Sequence, residues 1–120
     1  MSLIDTSSSS FLERYLDLAA FRQTLVAANL ANIDTPGYRT VDVAFQSELS
    51  WASFNGFEEP LHPIVRPVYG LIERPDGNNV SLDREGLLLT QTQLQYKAGI
   101  EFIRAQFRRT LGAINDGKES

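Results

Sequence analysis

Apolar residues along this chain fall into two long stretches of helical period, with a stretch between them that has none. In the first, Leu12, Leu16, Ala19, Gln23, Val26, Leu30 and Ile33 alternate steps of four and three, and only Gln23 breaks the stripe. Phe11, Tyr15, Leu18, Arg22 and Leu25 form an adjacent stripe that continues into Asn29 and Asn32. Ser10-Phe11-Leu12-Glu13 reads as a capping box, so the spacing predicts a helix over residues 10–34. In the second stretch, Leu89, Gln93, Tyr96, Ile100, Ile103, Phe107, Thr110 and Ile114 repeat the same steps, widened by Leu87, Leu88, Leu94, Phe102 and Leu111. A helix over residues 83–115 is predicted there, capped by Asp83, stapled by Leu82 and Leu87, and fading at Asn115-Asp116-Gly117. A period of 3.5 is that of a coiled coil, and it implies rods of about 35 and 48 Å. The fold class is therefore mainly α: a coiled-coil or bundle of N- and C-terminal heptad helices with a small irregular or β-containing insert.

The insert spans residues 35–82 of what reads as a single domain, 1–120. Val41, Val43 and Phe45 alternate with Asp42 and Ala44 as a short extended piece would, and Gln46 to Trp51 suits a helical turn. Pro60, Pro63, Pro67 and Pro75, with Gly56 and Gly70, exclude a long helix over residues 52–76. Val68-Tyr69 and Leu71-Ile72 are candidates for one bent strand, and Pro75-Asp76-Gly77-Asn78-Asn79 is a turn cluster. Trp51, Phe54 and Phe57 read as a satellite core, the competing reading being an exposed contact patch.

Composition narrows the function classes. The 120 residues, 42% hydrophobic and 22% charged, are those of a folded chain. A net charge of −4 argues against general affinity for nucleic acid or anionic lipid. Residues 1–65 carry eight acids and three bases, whereas residues 66–120 carry seven acids and eight bases, an asymmetry able to act within or between chains. There is no cysteine, hence no disulfide and no thiolate metal site. The N-terminus has neither a basic region nor an apolar core, so no cleaved signal peptide is expected, and no apolar run approaches a membrane span. Residues 1–9 and 115–120 are expected to order only on assembly.

The chain turns at residues 28–39. Pro36 disfavours helical geometry at Thr35, and Gly37 supplies the positive φ that a type II turn needs at its third position. Asn29 and Asn32 share one face of the last helical turns, where their amides can bond freed carbonyls or a neighbouring chain. The pattern Ala28-Asn29-x-Ala31-Asn32-x-x-Thr35-Pro36-Gly37-Tyr38 resembles the N-terminal signature of bacterial flagellar axial proteins, the rod and hook subunits. Val41-Asp42-Val43-Ala44-Phe45 fits the same resemblance. So does Gly77-Asn78-Asn79-Val80-x-Leu82-Asp83-x-Glu85, followed by a long helix with Gln95-Tyr96, which is similar to proximal rod proteins of the basal body.

The resemblance implies a structural subunit of the periplasm-spanning rod that self-assembles through its terminal helices to transmit torque. It implies export by the flagellar type III apparatus without a removable signal. Its partners would be other rod proteins and the adaptor to the membrane ring. Leu12, Leu16, Val26, Tyr96, Ile100, Ile103 and Phe107 would carry assembly in such a subunit. Two other readings compete: a soluble helical adaptor or export chaperone, and another axial subunit of rod or hook.

Candidate chemistry is sparse. His62 is the only histidine, and with Glu58 and Glu59 it sits in a loop bracketed by Pro60 and Pro63. A metal site wants at least three ligands with an ordered outer shell. Ser7 to Ser10 have no partner histidine, and no glycine-rich phosphate loop precedes a helix. Asp83 and Glu85 are explained by the helix start, and Arg104, Arg108 and Arg109 by the helix dipole. No enzyme, cofactor, metal, nucleic-acid or small-molecule reading is expected.

Overall fold

Two helices carry most of the chain: α1, Thr6–Ala31, and α3, Leu82–Glu119. The computed structural model describes the backbone of residues 6–119 and the side chains of residues 9–117. Within those limits the molecule is a rod of 72 × 26 × 17 Å. α1 begins ahead of the expected residue 10 but ends at Ala31, short of residue 34, where the exit turn has already begun. α3 outruns both of its expected ends. Ser10 is interior to α1, so the expected capping box is not the helix start. Serine costs only a few tenths of a kcal/mol in a helix interior, too little to hold the helix off residues 6–9. Asn115-Asp116-Gly117 likewise lie inside α3, because one glycine at ~1 kcal/mol does not end a helix already propagating. Arg104, Arg108 and Arg109 are thus more than two turns from the end of α3, beyond the reach of its dipole. The expectation of late ordering falls partly on residues 1–5 and 120, which lie outside the described residues.

The cap of α3 also differs. Ser81, not Asp83, sits before the first turn, its Oγ accepting from the Arg84 amide at 3.2 Å. Both residue types cap, but the chain reaches the helix through buried Val80, which places Ser81 at the boundary. Leu82 and Leu87, the expected staple, are both exposed.

Between the long helices lie β1 (Val41–Asp42), α2 (Phe45–Phe54) and β2 (Arg66–Pro67). The two strands pair antiparallel, Val41 opposite Pro67 and Asp42 opposite Arg66. The extended piece expected at Val41 to Phe45 is cut to two residues because Phe45 already begins α2. The second strand falls just before the expected Val68. A short edge strand tolerates Pro67, which needs to give no ladder hydrogen bond. The main core joins α1 to this insert. Leu18, Ala19, Val43 and Phe45 are buried, with Tyr15, Phe21, Leu25, Leu49 and Leu61 packed against them. Tyr15 and Phe45 meet edge to face at 5.7 Å. The expected satellite core is not formed as a unit. Phe57, held at φ +61, packs on Phe11 with ring centroids 5.3 Å apart, but Trp51 and Phe54 face outward.

α1 and α3 run antiparallel, Asn29 lying against Glu85 and Leu16 against Gly99. The seam on α3 is Glu85, Leu88, Thr92, Gln95 and Gly99, all buried or half-buried. The apolar stripe of Tyr96, Ile103 and Phe107 is one position round the helix and stays exposed, with Ile100 half-buried. Gly99 explains the choice of face, since helices approach most closely where a side chain is missing. A Cβ at Gly99 would sit 2.6 Å from Cδ2 of Leu16 and 3.2 Å from its Cγ. Thr6, the first described residue of α1, falls opposite about residue 108 of α3, so α3 extends roughly 16 Å past the described part of α1 at 1.5 Å per residue.

The glycines of α3 separate intrinsic propensity from packing. A Cβ at exposed Gly86 meets nothing within 4 Å. Gly86→Ala is therefore expected to raise unfolding stability by about 1 kcal/mol. Gly99→Leu should lower it by about 2 kcal/mol, because overpacking the seam outweighs the same propensity gain. Urea unfolding of the two variants checks the pair; a destabilising Gly86→Ala or a neutral Gly99→Leu would contradict the seam described.

Candidate functional site

The helix exit forms as its residues dictate. The Tyr38 amide donates to the Thr35 carbonyl at 3.2 Å, closing a turn over Thr35-Pro36-Gly37-Tyr38 with Gly37 at φ +75. Asn32 keeps its side chain inside this exit. Its Nδ2 donates to the Ala28 carbonyl at 2.8 Å, and its Oδ1 accepts from the Thr35 hydroxyl at 3.1 Å.

A second turn, from residues 74–80, is stacked on the first. The Gly37 amide donates to the Asp76 carbonyl at 2.9 Å, and a Cβ at Gly77 would lie 3.3 Å from the Gly37 Cα. Two glycines at positive φ thus let two turns touch backbone to backbone. Asn78, fully buried, rivets them together. Its Nδ2 donates to the carbonyls of Asn32 and Thr35, each at 2.9 Å. Its Oδ1 accepts from the Val80 amide at 2.8 Å and from Arg74 Nη2 at 2.6 Å. Arg74 also donates to the carbonyls of Val80 and Ile33. Asn79 Oδ1 accepts from the Thr40 amide at 2.7 Å.

Asn29 ties the exit to both long helices and to β1. Its Nδ2 donates to the Val41 carbonyl at 2.9 Å and to Glu85 Oε2 at 3.1 Å. Its Oδ1 accepts from the Tyr38 hydroxyl at 2.9 Å and from the Val41 amide at 3.2 Å. All four hydrogen-bonding positions of this amide are used, in a residue 1% exposed. Burial, and then the nearby charge of Glu85, push the Tyr38 hydroxyl above its ordinary pKa, so it stays a donor at neutral pH.

Beside Asn29 lies a charge cluster. Arg22 grips Asp42 with two parallel bonds, Nε to Oδ1 at 3.0 Å and Nη2 to Oδ2 at 2.9 Å. Arg84 reaches the same carboxylate at 2.6 Å and Glu85 at 2.7 Å. Burial alone would raise the Asp42 pKa. The Arg22 bonds, the Val43 amide and Arg84 outweigh it and hold the carboxyl below its ordinary value.

The two motifs singled out in the sequence, some forty residues apart, therefore form one polar lock. Asn29, Asn32, Gly37 and Tyr38 are bonded in it, Thr35 contributes its carbonyl and its hydroxyl, and Ala28 supplies an acceptor carbonyl. Ala31 and Pro36 are exposed at its surface. Glu85 is not merely a helix-start charge: it is fully buried and bonded to Asn29. Arg22, Asp42, Arg74 and Arg84 went unnoticed as a set. Arg22 breaking an apolar stripe was the one local signal. His62 is exposed beside Glu48 and Trp51, and among the described residues no three ligating side chains are grouped to hold a metal. The lock holds geometry: a buried, fully bonded polar network fixes one arrangement of the chain.

A pair of long antiparallel helices locked to a small insert, with large apolar residues exposed along α3, is the build of a structural subunit that packs against other chains. A family model described as "Flagella basal body rod protein" matches residues 16–39, the second half of α1 and its exit turn. The flagellar basal body rod protein FlgB of Salmonella typhimurium is 32% identical over 127 aligned positions, covering 89% of this chain and 92% of that protein. FlgB of Borrelia hermsii is 34% identical over 110 positions, covering 74% and 82%. FlgB of Escherichia coli is 30% identical, covering 89% and 92%. The chain belongs to the FlgB family of flagellar basal body rod proteins. Among the described residues no helix is long and apolar enough to cross a membrane.

Proposed function

We propose that this chain is a structural subunit of the proximal rod of the bacterial flagellar basal body. The observation that carries the reading is the apolar stripe of α3. Tyr96, Ile103 and Phe107 are exposed, as are Leu111 and Ile114 farther along. A rod subunit needs such a surface to pack against copies and other rod proteins, and a free monomer does not. Leu12 and Val26 are buried inside the subunit, and Leu16 and Ile100 are half-buried. In this reading those four brace the helix pair, while the exposed three make the contacts between subunits. The rod carries torque because many apolar contacts share the load. The lock keeps each helix pair at one angle to its insert while they do so.

The partners are other rod subunits and the adaptor to the membrane ring, reached through the flagellar export apparatus. The residues serve no catalytic role. An adaptor or chaperone reading explains the heptads but leaves the lock and the family without a purpose. The test is a double variant, Ile103→Glu with Phe107→Glu. Its thermal unfolding should match the parent within a few degrees, while its recovery in purified basal bodies falls at least tenfold. Normal recovery would refute the assembly role of this stripe.

A further inference from the structure

The insert and the far end of α3 carry complementary surfaces that are not joined within one molecule. On the insert, Phe54 is 89% exposed and Trp51 is 52% exposed. Just beyond them Glu58 and Glu59 are exposed, with no ion pair among the described residues. Residues 40–65 contain no lysine or arginine, and Arg66, beside Trp51, is the nearest base along the chain that follows. On α3, Phe107 and Leu111 form an exposed apolar ridge, Leu111 lying past the described part of α1. Arg108 and Arg109 flank it, exposed and without an ion pair among the described residues, and residues 102–114 contain no acid. Arg104 is already paired with Glu101 at 3.0 Å.

Within one chain the two surfaces do not meet. α1 touches α2 and α3, but α2 and α3 do not touch each other, and no ion pair joins Glu58 or Glu59 to α3 among the described residues. We infer that the aromatic, acidic patch at the end of α2 receives the basic, apolar end of α3 from a second copy of this chain. The apolar residues supply the attraction and the free charges set the register, since opposed unpaired charges discriminate against wrong alignments more than they add affinity. Made once between each pair of copies, a contact between unlike surfaces is heterologous and propagates from copy to copy. This inference rests on the rod reading for its setting. It adds a contact made by the insert, distinct from helix packing along the α3 stripe.

The absence of cysteine makes the test specific. Full-length Phe54→Cys and Leu111→Cys proteins, co-expressed, should give a disulfide-linked dimer in purified basal bodies, with either alone giving at least tenfold less. Adding Arg108→Glu and Arg109→Glu to the Leu111→Cys chain should cut that product at least tenfold. Adding Glu58→Arg and Glu59→Arg to the partner chain should restore it to within about twofold. All these positions are exposed and outside the lock, and thermal unfolding of each variant checks that it folds. If both chains are recovered in basal bodies without the mixed product, or the swaps change nothing, this contact is wrong and the rod reading stands. If the parent chain itself is missing from basal bodies, the rod reading fails. The contact then stands or falls on the same mixed product from the purified proteins.

Discussion

Asn29→Ala is expected to lower the stability of the free chain by about 3 kcal/mol, a large part of the 5–15 kcal/mol typical of a domain. The side chain is small and its own hydrogen bonds are worth only about 1 kcal/mol each net. The loss comes from what it leaves behind. The Val41 amide and carbonyl and the buried Glu85 carboxylate all lose a partner in a place that water does not reach freely. Asn29→Asp is the sharper variant. It is the same shape and keeps the acceptor for Tyr38 and the Val41 amide. It also sets a second carboxylate where Nδ2 lay 3.1 Å from Glu85 Oε2. At neutral pH it should be less stable than the alanine variant, because like charges that close cannot both stay ionised cheaply. Urea unfolding of the two variants decides the matter. An aspartate variant as stable as the parent would mean that Asn29 and Glu85 are not bonded as described.

Asp42→Ala should cost more, about 3–5 kcal/mol, the range for removing one side of a buried ion pair. Arg22 and Arg84 would be left mostly buried with their carboxylate gone, and only Arg84 keeps another acid, Glu85. The same residue sets an acid limit. Its pKa is lowered on folding, so its contribution is fully present above its ordinary value of 3.8 and is lost as pH falls below that through the folded value. Asp42→Asn should therefore be destabilised at pH 7 yet lose less further stability than the parent between about pH 4 and pH 2. Parallel acid limbs in the two proteins would contradict the role given to this carboxylate.

Local features of the chain were legible wherever the physics is local. Gly37 declared its positive φ through the proline before it, and the two long helices through their period. The same period hid which face of α3 would be buried. Stripes 3.5 residues apart repeat identically wherever they begin, and apolar content favoured Tyr96, Ile103 and Phe107. The seam instead runs through Leu88, Thr92 and Gly99, because a missing side chain allows closer approach than a large one. That position is Gly99, and Leu16 of α1 fills the space it leaves. The helix start went to Ser81 over Asp83 for a similar reason, since what precedes a cap decides between two competent residues. Asp42 finds Arg22 twenty residues away and Arg84 forty-two away, and no short window contains that cluster. Asn78 and Asn79 were visible as turn formers, while their bonds to the carbonyl of Asn32 and the amide of Thr40 depend on two turns meeting in space.

Amide hydrogen exchange, compared between the free chain and the chain in purified basal bodies, tests the central claim most directly. The account predicts strong protection in the free chain around the lock, over residues 26–42 and 78–92. It predicts weak protection beyond residue 108, past the described part of α1, and a rise there of at least tenfold on assembly. Equal protection along the whole of α3 in the free chain, unchanged on assembly, would contradict it.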